Sequence, residues 1–195
     1  AASSIKSLAI SSTKDTMVQA GHYLDMLFEN ISSFSTQISL DQTIQDYLTN
    51  KEGRYESASY DVVMLKQEAD KAFSRYTFSN RFVDSVIIIG VDNKNIFSGT
   101  SSSSYNTYGY NIDTIKETDF FKRISVSNAN LVWFGNHLDL DAITKYKSKD
   151  FVLSAGRLIK SLTTTKPIGA LLIDLRLSIL DELFDSMSFS EGSEI

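Results

Sequence analysis

Along the first 80 residues apolar positions recur every three or four places, with almost no glycine or proline to interrupt them. Leu24, Leu27, Phe28, Ile31, Phe34 and Ile38 draw one stripe along a helix, and Ile5, Leu8, Met17 and Ala20 extend it less regularly towards the N-terminus. A helix from Ser4 to Ile38 is about 50 Å long at 1.5 Å per residue. A globule of this size has a radius of gyration of about 16 Å, so part of the helix is expected to project as a stalk. Asp41 is the expected N-cap of a short helix ending near Asn50, because its carboxylate can accept from the first free N–H groups. Lys51 to Arg54 form a break. A third helix is expected over Ser57–Phe78, with Asn80 as its stop.

At Phe82 the period changes. Val83 to Gly90 is β-branched and nearly continuous in its apolar character, the mark of a strand covered on both faces. Asp92-Asn93-Lys94-Asn95 supplies turn chemistry, and Ile96-Phe97-Ser98 begins a return strand. Asp113 is expected to cap a helix through Val126. Strand-like runs follow at Asn130–Leu138, Asp150–Ser161 and Pro167–Leu175, the last two joined as a hairpin through Thr163 to Lys166. Ser178–Met187 closes the chain as a helix. The expected fold is α+β: a long N-terminal helix packed on an antiparallel PAS-like sheet of about five strands. The expected organisation is a helical stalk and layer over 1–80, a sensor lobe over 81–187, and a polar tail over 188–195.

Composition narrows the function. The chain has 195 residues, 42% hydrophobic and 22% charged, which fits a packed globule. A net charge of -5 without a basic cluster argues against nucleic acid and polyanionic lipid surfaces. Cysteine is absent, which removes disulfides, thiolate metal sites and cysteine nucleophiles. No apolar run approaches the roughly 18 residues of a membrane span.

Catalytic chemistry finds no foothold. His22 and His137 have no partner at ligand spacing, and Asp139 and Asp141 lack the further carboxylates and glycine of a calcium loop. Neither a phosphate loop nor a nucleophile elbow is present, so no catalytic residue, metal or cofactor is expected. What stands out is polar and aromatic chemistry inside core strands. Trp133 and Phe134 lie in an apolar run. Arg157 alternates with apolar residues, and Asp174 interrupts Gly169 to Leu175. Buried charge needs a partner. Arg157 and Asp174 pair with each other, or their charged ends reach solvent, or a ligand satisfies them, and the hairpin register decides whether they share a face. Tyr105, Tyr108 and Tyr110, in the Ser-, Tyr- and Gly-rich segment from Gly99 to Tyr110, suit an adaptable contact loop.

The order of elements resembles the membrane-distal part of double Cache sensor domains, and more closely the extracellular region of YesM-type sensor histidine kinases. The residues that carry it are Leu40 to Leu48, Val86 to Ile89 with the following turn, Trp133, and Pro167 to Leu175. The resemblance implies an extracytoplasmic ligand-sensing input domain of a membrane-bound two-component kinase. It is expected to be non-catalytic, flanked in the parent protein by membrane spans, followed by a membrane-proximal lobe, and homodimeric in the receptor. A small molecule or a solute-binding protein is the implied partner. The alternative is a docking or dimerisation ectodomain without a small-molecule pocket, or the sensor of a chemotaxis receptor or membrane-bound regulator. Amino-acid-binding Cache domains place an arginine two residues before the tryptophan. Leu131 stands there, while Trp133, Phe134 and Asp174 match. Arg157 is then the candidate substitute, and the tyrosine loop the candidate lid.

Overall fold

A computed structural model describes the backbone of residues 2–50, 60–99, 111–135, 153–176, 178, 179, 181, 182 and 185. Helix α1 is Ala2–Leu40, 39 residues long, followed by α2 (Gln42–Thr49) and α3 (Tyr60–Ser79). Strands β1 (Val83–Gly90) and β2 (Ile96–Gly99), helix α4 (Asp119–Val126), and strands β3 (Val132–Phe134), β4 (Ser154–Lys160) and β5 (Pro167–Leu175) complete it. All pairings are antiparallel, in the order β2-β1-β5-β4-β3. The expected α+β architecture is the observed one.

Contacts divide the chain into two compact units, 1–31 with 177–195 and 32–176. In the first, Thr16, Leu27 and Ile31 are buried on α1 and Ile179 on the closing segment, and the Tyr23 hydroxyl donates to Glu182 Oε2 at 3.1 Å. Phe28 lies outside that buried line, 41% exposed, which corrects its place in the stripe: Leu27 and Ile31 point inward, and Phe28 is rotated about 100° from Leu27.

The second unit holds the sheet. Register assigns its two faces. Ile87 opposes Leu172, which opposes Gly156; Ile88 opposes Leu171, which opposes Arg157. On one face Ile87, Ile89, Leu158, Ala170, Leu172 and Phe134 pack with Ile115, Phe120 and Ile124, so α4 covers it. The opposite face receives the N-terminal helices. There Gly90 and Gly169 oppose each other, and Leu48 of α2 sits over both. A Cβ at Gly90 would fall within van der Waals overlap of the Lys94 carbonyl oxygen, so glycine is required for the close turn of the β1–β2 connection.

Caps fix where the helices begin. Asp41 caps α2 as expected, its Oδ1 accepting from Ile44 N at 3.1 Å, while its Oδ2 accepts from the Tyr76 hydroxyl at 2.8 Å. Burial and that bond raise the Tyr76 pKa. Gln45, almost fully buried, locks three segments together: its amide donates to Ser39 O and Lys160 O and accepts from Leu162 N. The cap of α4 corrects the expectation. Thr118, not Asp113, is the N-cap, accepting from Phe121 N at 3.1 Å, whereas the Asp113 N–H is held by Asn111 Oδ1 in a preceding turn. The strands at β3 and β4 are shorter among the described residues than the apolar runs suggested, and β5 matches its run in full.

Candidate functional site

Asp174 is the chemically distinctive residue of the sheet. It is 1% exposed, in the central strand, on the face that α4 covers. A carboxylate there must be solvated by the protein. The neighbouring strands do so: Ser154 Oγ donates to Oδ1 at 2.6 Å and Ser85 Oγ to Oδ2 at 3.3 Å. Both serines are Cα partners of Asp174 in the ladder, so three adjacent strands bring one polar row into an apolar face. Phe134 opposes Ser154 on β3 and extends that row. Its ring stacks at a tilt on Phe120, with centroids 5.3 Å apart. The Arg123 guanidinium of α4 lies 4.2 Å from the Phe134 ring centroid and donates from Nη2 to Trp133 O at 2.8 Å. The arrangement offers a carboxylate, an aromatic surface and a cation within one layer.

Arg157 belongs to the other face. It opposes Leu171, three residues from Asp174, and in a strand an odd separation means opposite sides. An Arg157–Asp174 pair is therefore excluded, and so is Arg157 as the substitute for the arginine missing at Leu131 beside Asp174. Trp133 likewise opposes Ala155 and shares the helix-side face with Arg157, while Phe134 faces α4. The two aromatics expected as one wall stand back to back. Tyr105, Tyr108 and Tyr110 lie outside the described residues, as do His137, Asp139 and Asp141.

Three contributors escaped the sequence reading. Ser85 and Ser154 carried a signal, since each is a small polar residue at a strand position whose alternate neighbours are apolar. Arg123 carried none, because a helix-surface arginine looks the same whether or not an aromatic ring lies beneath it. An open groove of about 650 Å³ also lies on α2 and α3, lined by Thr43, Glu68, Asp70, Lys71, Ser74 and Arg75. Its charges offset one another, and neither Asp174 nor Phe134 lines it. Among the described residues no three acidic or histidine side chains cluster as metal ligands, and no helix is long and apolar enough to cross a membrane.

No family model and no curated relative matches the sequence. Solved structures do. The sensory domain of the Campylobacter jejuni chemoreceptor Tlp3 with isoleucine bound superposes with a TM-score of 0.61 at 16% identity, over 94% of this chain and 65% of that one. The extracellular domain of the candidate histidine kinase vpHK1S-Z8 gives 0.60 at 12% identity, over 94% and 62%. A domain of a candidate sensory box/GGDEF protein from Vibrio parahaemolyticus gives 0.53 at 13%, over 88% and 64%. The chain shares its α+β fold with these domains. It spans 65% of the length of the Tlp3 sensory domain, whose ligand-binding domain has also been solved with L-valine. Within this fold the Asp174 row occupies the α4-covered side of the sheet, away from the N-terminal helices.

Proposed function

We propose that the chain is the extracytoplasmic ligand-sensing input domain of a membrane receptor, of the kind that drives a two-component histidine kinase, and that it performs no catalysis. The observation that carries this reading is a fully buried carboxylate in the central strand of a sensory-domain fold, set between two serine hydroxyls and beside an aromatic ring. Asp174 is the polar anchor for a ligand ammonium group and Phe134 the apolar wall. Arg123, stacked on Phe134, is the counter-charge for a ligand carboxylate, taking the part that Leu131 cannot. Tyr105, Tyr108 and Tyr110 would close over the ligand. The first ligands to try are branched-chain amino acids, which occupy the Tlp3 domain. Ligand binding would shift a two-state arrangement of α1 and so move the flanking membrane spans. Calorimetric titration with L-isoleucine, L-valine and isobutylamine tests this. Saturable heat from any of them, lost in Asp174→Asn, supports it; no heat from all three removes the amine-anchor reading.

A second reading, pairing of two copies through α1, is favoured by one observation. Ile10 and Met17, 61% and 65% exposed, continue through Gly21 to the exposed Phe28 at spacings of seven, four and seven. Apart from the adjoining backbone of α1, no atom of the described residues lies within 4 Å of where a Gly21 Cβ would stand, so a second helix could approach closely there. In the full-length receptor, cysteines at Met17 should crosslink between subunits and cysteines at Asp15 should not. Equal crosslinking at both would remove the pairing.

A further inference from the structure

The helix-side face of the sheet carries a cation whose partners are all neutral. Arg157 projects from β4 towards α1, where its Nη1 donates to Ser35 Oγ at 3.2 Å and to Thr36 Oγ1 at 3.0 Å. Both hydroxyls already donate to the Ser32 carbonyl, at 2.8 and 2.9 Å, so they face the guanidinium as fixed acceptors. Arg157 Nε is buried with no hydrogen-bond partner, the sole buried side-chain nitrogen or oxygen so placed among the described residues. Nη2 makes no hydrogen bond among the described residues and is not a buried orphan, so it keeps some contact with solvent. No acidic side chain among the described residues forms an ion pair with this group. Burial lowers its pKa with nothing to oppose the effect.

The distribution of used and unused donors is specific. Nη1, on the Cδ side of the guanidinium, is spent on α1. The unused N–H groups are those of Nε and Nη2, which lie parallel along one edge of the plane. That edge is the one that matches the two oxygens of a carboxylate as a fork. We propose that Arg157, with Thr36 at its rim, forms a second ligand site that takes a single carboxylate of a small molecule. A carboxylate is favoured over phosphate or sulfate because one guanidinium supplies one positive charge and no second cation bonds into the group. The site lies across the sheet from Asp174, so it is independent of the amine-anchor reading. It bridges β4 to α1, so its occupant would strengthen the hold of the sheet on that helix.

The test uses the full chain labelled with ¹⁵N, titrated with sodium acetate while sodium chloride is withdrawn to hold ionic strength constant. The Arg157 Nε–H resonance should move downfield and saturate, and sodium sulfate should act at least about tenfold more weakly, because its second charge finds no cation in the site. Arg157→Lys keeps the charge and removes the fork, so the acetate-dependent rise in melting temperature should disappear in that variant. A linear, non-saturating Nε response would overturn the site. An equal response to sulfate would overturn its carboxylate selectivity, and full acetate stabilisation of Arg157→Lys would overturn the role of the fork.

Discussion

On the α4 face of the sheet Asp174 is satisfied by the sheet itself, through serines on the strands either side of it. On the helix face Arg157 finds its acceptors in a different layer, on α1, and leaves one nitrogen orphaned. The first arrangement is preorganised by the same ladder hydrogen bonds that hold the strands in register. The second depends on how α1 sits against β4 and is incomplete without a further partner. A buried group satisfied within one rigid element is suited to fix a ligand; a group shared between elements is suited to feel their relative position.

Substitutions can break this contrast, and backbone packing sets the upper end of the scale. Gly90→Ala drives a methyl into the Lys94 carbonyl and Leu48 on the helix face, contacts that only backbone movement relieves. Its cost should reach about 3 kcal/mol in a denaturant titration. Gly156→Ala, on the α4 face, meets the Phe120 ring at 2.5 Å and should cost less, about 1–3 kcal/mol, since a ring can shift where a carbonyl in a turn cannot. The polar groups come next. Ser154→Ala removes the shorter bond to Asp174 and should cost about 1.5–3 kcal/mol, the worth of a bond to a charged group. Arg157→Met should fall within about 1 kcal/mol of neutral, because it removes a desolvated cation and an orphaned donor together with two bonds to neutral hydroxyls. Equal losses at Ser154 and Arg157 would erase the distinction between the faces.

A further effect, absent at neutral pH, is a pH dependence confined to the helical layer. Burial, assisted by Asp70, pushes the Tyr47 hydroxyl up to about 12. A raised tyrosine pKa means that the folded state holds its proton longer than the unfolded state does. This stability is fully present below about pH 10. It falls by about 1.4 kcal/mol per unit as pH rises from there towards about 12. Tyr47→Phe should flatten that slope in alkaline unfolding titrations.

Much of this molecule was legible before any coordinates. The period of α1, the Asp41 cap and the whole of β5 follow from local chemistry, because each depends on neighbours within a few residues. The site was legible only in part. Asp174 and Arg157 announced themselves as charges in apolar strands, but their faces depend on strand register, a long-range property set by the turn from Ser161 to Lys166. Trp133 and Phe134 are a different case. Adjacent residues on a strand face opposite ways by its two-residue period, so their separation followed from the strand assignment itself. Thr118 is the cap in place of Asp113 because the chain after Asn111 first makes a separate turn, in which Asn111 Oδ1 accepts from Asp113 N and Thr114 N, and α4 starts only at Asp119.

The central claim is that ligand recognition belongs to the Asp174 face. Calorimetric titration of the same probe, L-isoleucine, into the unmodified chain, Asp174→Asn and Arg157→Gln tests it most directly. The account predicts saturable binding to the first and third, and a loss of at least about tenfold in Asp174→Asn, the equivalent of one charge-assisted bond. Undiminished binding to Asp174→Asn, with loss in Arg157→Gln, would put recognition on the opposite face and contradict it.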